Sequence, residues 1–401
     1  MLNSGARTGA VRRSRHTLYL SLATVIAIAA TLVPRGEAAI ASTSPPSTLL
    51  PAGGAYFGSW AKPRTGETKQ QSVLRAESMV GRKFAVDHQY YKWDHSFPTS
   101  YETWTSDQGR IPFMNWKPIR LNGARVTWTS IAAGAEDSWI IQRAAAVKAF
   151  ARPMYLSFDA EPEDNVGVFG SAADYVNAYR RVVDLFRAQG VTNVGYVWNQ
   201  MAWSFDSRSG RDPSAWYPGD AYVDLVAADG YSWYPARPGS SWNTFQSIFQ
   251  PARAFALSRG KPWMIAETGV QEDPAVPGRK GDWFRGLLTT VQQWPELKAV
   301  VYFDSDNPYP WWIDSSASSI AGFREAGAGA WFNPGWPPPP PRRLLPARPP
   351  PRPLLPARPP PRPRLPARRR ARRLLPARRR ARLRLLTRSS TRSMGVRPEP
   401  R

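Results

Sequence analysis

Residues 171–198 read SAADYVNAYRRVVDLFRAQGVTNVGYVW, and this stretch decides the fold. Ser171 followed by Asp174 makes a capping-box-like helix start, Tyr175, Tyr179, Val182 and Phe186 recur at helical spacing, and Gly190 ends the helix. A strand, Val191 to Trp198, follows at once. Outward from this unit, between Ala55 and Trp336, short apolar runs alternate with amphipathic stretches, the pattern of parallel strands joined by helices. Strands are predicted at 55–59, 84–89, 111–116, 154–159, 191–198, 223–230, 263–267 and 299–303, with helices near 69–79, 137–150, 171–189, 242–259 and 281–293. Eight strands in such a span imply an α/β fold, a (β/α)8 TIM barrel, whose usual size is about 250 residues. A doubly wound open sheet is the structural alternative, but no Gly-rich phosphate loop follows the first strand.

Composition divides the 401 residues into three parts. Residues 1–41 have the parts of an export signal: Arg12, Arg13 and Arg15, an apolar run from Leu18 to Val33, and small residues at Ala38 to Ala41. A retained membrane anchor is the alternative, since the run approaches spanning length. Residues 42–336 read as one catalytic domain. Residues 337–401 repeat the decamer LLPARPPPRP, at 344–353 and 354–363, and then turn Arg-rich. Proline removes backbone donors and like charges repel, so this Pro/Arg-rich tail is expected to be disordered. It reads as a tether to anionic cell-wall polymers, as a spacer, or as a frameshifted linker lacking Lys and Asp.

The net charge of +24 comes from the ends. The tail holds 21 Arg against Glu399 and the leader five Arg against Glu37, leaving the central domain without net charge. Such a domain has no electrostatic reason to bind nucleic acid. The expectation is therefore a secreted, extracellular protein with no membrane contact after signal cleavage, monomeric by default. There is no cysteine, and His16, His88 and His95 are the three histidines. Disulfides, thiolate zinc sites, cysteine nucleophiles and H-E-x-x-H pairs are excluded, no nucleophile-elbow motif is present, and no Asp-rich loop has EF-hand spacing. No metal and no cofactor is expected.

In TIM barrels the chemistry lies at the carboxyl ends of the strands. Those ends are rich in carboxylate, amide and aromatic groups: Gly58-Ser59-Trp60, His88-Gln89-Tyr90-Tyr91, Asn115-Trp116, Asp159-Ala160-Glu161, Trp198-Asn199, Asp229-Gly230-Tyr231, Glu267-Thr268-Gly269 and Phe303-Asp304. Sugars present hydroxyl rims and apolar C–H faces, which such groups suit. Retaining cleavage of a glycosidic bond needs two carboxyl groups about 5–5.5 Å apart. Glu161 and Glu267, closing strands four and seven, are the pair able to converge across a barrel mouth.

The segments PMYLSFDAEPED around Glu161, YPGDAYVDLVAADGY at 217–231 and KPWMIAETG around Glu267 resemble glycoside hydrolase family 26, and the resemblance spans most of the domain. It implies that Glu161 is the acid/base, Glu267 the nucleophile, and Tyr231 a hydrogen-bond donor to that nucleophile with Asp229 beside it. It also implies that His88 binds sugar hydroxyls near the cleavage point. One departure stands out: such enzymes usually carry His immediately before the acid/base, where this chain has Ala160. Trp116, Trp198 and the pair Trp311-Trp312 are placed by position as stacking platforms, Trp312 foremost. The bland readings are a turn at Asp229-Gly230-Tyr231 and a structural His88. The expected activity is retaining endo-hydrolysis of β-1,4-mannan or a related β-glucan or xylan. A non-catalytic carbohydrate-binding barrel descended from such an enzyme is the alternative, and a tail that itself binds anionic polymers is a third.

Overall fold

The computed structural model describes residues 45–333. The predicted export signal at 1–41 and the tail at 337–401 lie outside the described residues. Eight parallel strands close into a barrel in chain order: β1 (Tyr56–Ala61), β2 (Val86–Lys92), β3 (Ile111–Lys117), β4 (Met154–Phe158), β5 (Val194–Met201), β6 (Leu225–Ser232), β7 (Trp263–Val270) and β8 (Leu297–Asp304). Closure is made where β1 pairs β8 in continuous register, from Tyr56 opposite Ala299 to Ala61 opposite Asp304. Every predicted strand is present, with ends shifted by three residues or fewer.

The five predicted helices appear as α1 (Lys69–Val80), α4 (Asp137–Phe150), α5 (Ala172–Ala188), α6 (Phe245–Ser258) and α7 (Arg279–Val291). Ser171 caps α5 as read, its hydroxyl accepting from the Asp174 N–H while the Asp174 carboxylate accepts from the Ser171 N–H. Three further helices escaped the pattern: α2 (Ser100–Asp107), α3 (Trp128–Ala132) and α8 (Ala317–Ala328). The first two are short, and α8 is so rich in Ala, Gly and Ser that its apolar stripe is faint. No α-helix joins β5 to β6; Gly210, Pro213 and Pro218 punctuate that segment, which forms three 3-10 turns at 202–205, 207–209 and 213–216.

Strand side chains alternate between the barrel axis and the helices. Tyr56, Val86, Phe113, Tyr155, Val197, Leu225, Ala227, Met264, Ala266, Ala299 and Val301 form the inner core, with Leu49 packed beneath them. The Tyr155 hydroxyl donates to the Leu49 carbonyl, and that of Tyr56 to the Thr48 carbonyl at 2.9 Å. The larger outer core lies between strands and helices. There α7 and α8 touch backbone to backbone: a Cβ on Gly322 would stand 2.2 Å from the Gly281 carbonyl oxygen, so glycine is required. Among the described residues no helix is long and apolar enough to cross a membrane.

One buried ion pair ties α1 to the start of β3. Glu77 accepts from Arg110 Nε at 2.7 Å and Nη2 at 2.6 Å, and from the Phe84 N–H at 2.8 Å. Removing one partner leaves an uncompensated buried charge. Glu77→Ala is therefore expected to lower unfolding stability by about 3–5 kcal/mol, measured by urea titration of tryptophan fluorescence. A loss under about 1 kcal/mol would place this pair with weak surface pairs instead.

Candidate active site

The barrel mouth is formed by residues one or two positions beyond the apolar inner column. On β7 a register shift intervenes: Ala228 of β6 faces Ile265, but the next residue, Asp229, faces Glu267. The unpaired Ala266 is a bulge that turns Glu267 from the outward phase into the mouth. Glu267 is 8% exposed, and both its oxygens are held by phenols. Tyr231 donates to Oε2 at 2.6 Å and Tyr90 to Oε1 at 2.5 Å. Burial raises its pKa, while the two phenols and Lys117 pull it back toward the ionised state.

Glu161 arrives differently. β4 ends at Phe158, and the chain then turns through Asp159 at φ 46° and Glu161 at φ 55°, both left-handed. The Glu161 N–H donates to the Asn199 carbonyl at 3.1 Å, and the Ala160 N–H to Asn115 Oδ1 at 3.2 Å. Its carboxylate has no hydrogen-bond donor among the described residues, unlike that of Glu267. Burial first, and then the charge of Glu267, push its pKa to about 8, against a smaller opposing pull from Lys117. Glu161 and Glu267 thus line one cavity of about 320 Å³ in different hydrogen-bonding settings.

Asp229 and Tyr231 stand where expected. Asp229 neighbours Glu267 across the β6–β7 pair and accepts from Asn199 Nδ2 at 2.8 Å. Burial, with Glu267 and Glu161 close by, raises its pKa well above the ordinary value of an aspartate. Five predicted contacts do not reach the cavity. His88 lies one layer below it, fully buried and stacked on Phe113 at 4.1 Å, its Nδ1 3.4 Å from the Tyr90 hydroxyl. Burial holds its pKa at about 3, so the ring is neutral and supports Tyr90 rather than meeting sugar. Trp116 and Trp198 face outward into the helix layer. Trp116 stacks on Trp93 at 4.1 Å, and Trp198 packs against Tyr217 and Phe255. Trp311 is fully buried against Tyr231, and Trp312 lies away from the cavity lining with the Arg64 guanidinium 4.7 Å above its ring.

Residues 167–276 match the profile of Glycosyl hydrolase family 26, a stretch that holds Asp229, Tyr231 and Glu267. The chain is 29% identical over 290 residues to Endoglucanase H of Acetivibrio thermocellus, covering 69% of this chain and 31% of that relative. This barrel resembles glycoside hydrolase family 26. Among solved structures, a GH26 β-mannanase from Bacteroides ovatus aligns with TM-score 0.50 and 17% identity over 70% of this chain and 90% of that one. A modular endo-β-1,4-mannanase from Cellulomonas fimi gives 0.50 and 17% over 70% and 71%. At such identity these structures show a shared fold.

The rest of this cavity is built from Trp60, Tyr90, Asn115, Lys117, Phe303 and Asn307; Trp60, Tyr90, Asn115 and Phe303 stand among the strand-end groups read from sequence but were given no individual role, and Lys117 and Asn307 were not singled out. A signal for most of them exists: counting by two along each strand from the inner core, Tyr56 leads to Trp60, Val86 to Tyr90, Phe113 to Asn115 and Lys117, and Val301 to Phe303. Trp60 and Phe303 pack at 4.4 Å, with Tyr90 edge-on to Trp60 at 5.1 Å, forming an aromatic wall. Among the described residues no group of three or more His, Asp or Glu side chains is arranged to hold a metal ion. Because a hydrogen bond to the charged form favours it, Tyr231→Phe is expected to raise the pKa of Glu267. Carbon NMR titration of labelled glutamate carboxyls reads this directly, and an unmoved Glu267 would show that the phenol does not stabilise its charge.

Proposed function

We propose that this protein is a secreted, monomeric, retaining endo-β-glycanase of family 26 that hydrolyses β-1,4-mannan or a related β-glucan or xylan by double displacement. The observation that carries the reading is the asymmetry of two carboxyl groups in one cavity. Glu267, with a phenol on each oxygen, is the group better able to carry charge at neutral pH. Glu161, half-buried without donors and facing Glu267, retains its proton to about pH 8.

In the first step Glu161 protonates the glycosidic oxygen while a Glu267 oxygen bonds to the anomeric carbon, so the leaving chain departs as an alcohol and a glycosyl–Glu267 ester remains. In the second, the now ionised Glu161 takes a proton from water as that water attacks the same carbon, freeing Glu267 and restoring the configuration. The Tyr231 hydrogen bond steadies the nucleophile, and the wall of Trp60, Tyr90 and Phe303 offers apolar faces to a sugar ring. No cofactor enters the scheme. The name of the curated relative points to β-glucan and the solved mannanases to mannan, so both belong in the substrate panel. Export by the leader, and contact of the +20 tail with anionic wall polymers, fit an enzyme acting outside the cell.

Purified protein is expected to release reducing ends from mannan, lichenan or xylan, with the first product in the β configuration by proton NMR. Glu267→Ala should abolish release, and Glu161→Ala should slow it about 10²–10⁴-fold. Binding without release would favour the non-catalytic barrel. The acid must be protonated to act, so turnover should fall as pH rises through about 8. A rate still level at pH 10 would remove Glu161 from that role.

A further inference from the structure

The turn carrying Glu161 is held by a residue of the neighbouring strand. Lys117, last in β3, sends its ammonium under the turn, donating to the Ala160 carbonyl and standing 3.3 Å from Asp159 Oδ1. Asp159 is fully buried. Its Oδ2 accepts from Trp128 Nε1 at 2.8 Å, and its Oδ1 has no hydrogen-bond donor among the described residues, leaving the ammonium to balance it. The Lys117 side chain is 28% exposed and lies on the same cavity wall as Glu161 and Glu267. Ala160 supplies no side chain to orient the acid, so its carbonyl serves as the handle.

We propose that Lys117 is a positioning residue of the acid/base: its ammonium clamps the Asp159-Ala160-Glu161 turn through the Ala160 carbonyl and the Asp159 carboxylate, aiming Glu161 at the glycosidic oxygen. The proposal rests on the reading of Glu161 as proton donor. The clamp takes the place of an orienting side chain at position 160. It also sets the charge around the acid. Facing Glu161 are Glu267 and its partner Tyr231 from β7 and β6, Asp229 from β6, Tyr90 from β2, and Glu163 and Asp164 from its own turn, with Asp164 paired to Arg211 at 3.1 Å. Lys117 is the cation that opposes the first of these carboxylates. Burial alone would lower its own pKa, but Asp159 and Glu161 more than offset that, so it stays charged across the working range.

A positioning role separates from a structural or sugar-binding one by leaving-group dependence. A dinitrophenyl β-glycoside leaves without a proton, whereas a polysaccharide chain needs one. In the full-length protein, Lys117→Met is expected to lower kcat/KM on the polysaccharide by roughly tenfold or more, yet change kcat/KM on the dinitrophenyl glycoside of the same sugar by less than about threefold. Lys117→Arg should recover most of the loss. Deleting a cation raises the pKa of a nearby acid, so the alkaline limb of Lys117→Met should move up by about half a pH unit or more. Equal losses on both substrates, or an unmoved alkaline limb, would overturn the proposal. Should the wild type cleave no polysaccharide, the enzyme reading fails by itself. The clamp is then decided by carbon NMR titration of Glu161, which supports it if Lys117→Met raises that pKa and overturns it if the pKa is unchanged.

Discussion

Barrel closure between β1 and β8 is the constraint on which everything else hangs. A parallel cylinder sends all eight carboxyl ends to one rim, so residues far apart in sequence become neighbours without any loop having to carry them there. Glu161 and Glu267 share a cavity for this reason. The packing that secures closure is itself layered: an inner column of alternate strand residues resting on Leu49, and an outer shell where helices press on the other phase.

The architecture was legible because its signals are periodic and repeated. Eight apolar runs at regular intervals, with the Ser171 cap and the helical spacing of Tyr175 to Phe186, leave few folds open. The carboxylates were legible for the same reason, since they close strands whose positions were known. The platforms were not. Trp116 and Trp198 were placed at strand ends without asking which face each took; Asn115 and Asn199, their neighbours, face the mouth, so the tryptophans must face the helices. His88 has the correct phase but sits one layer deep, and Tyr90, two residues on, reaches the cavity in its stead.

What strand parity cannot deliver is the phase of Glu267. Met264 and Ala266 both belong to the inner column, so strict alternation would turn Glu267 outward. The skipped Ala266 corrects this, and nothing in the sequence around it announces a bulge. The turn at Glu161 is equally silent. Left-handed backbone at Asp159 and Glu161 is uncommon for non-glycine residues and costs on the order of 1–3 kcal/mol each.

Both catalytic candidates therefore stand at breaks in regular geometry, and both breaks are held by buried polar contacts. A bulge or a strained turn alone would relax toward regular strand; the Asn115, Asn199, Trp128 and Lys117 contacts make relaxation more costly than the strain itself. The same contacts leave the Glu161 carboxyl without donors while the Tyr90 and Tyr231 phenols converge on Glu267. Two chemically identical side chains thus sit in different hydrogen-bonding surroundings, and the proposed division of labour between proton donor and nucleophile rests on donor placement rather than residue type.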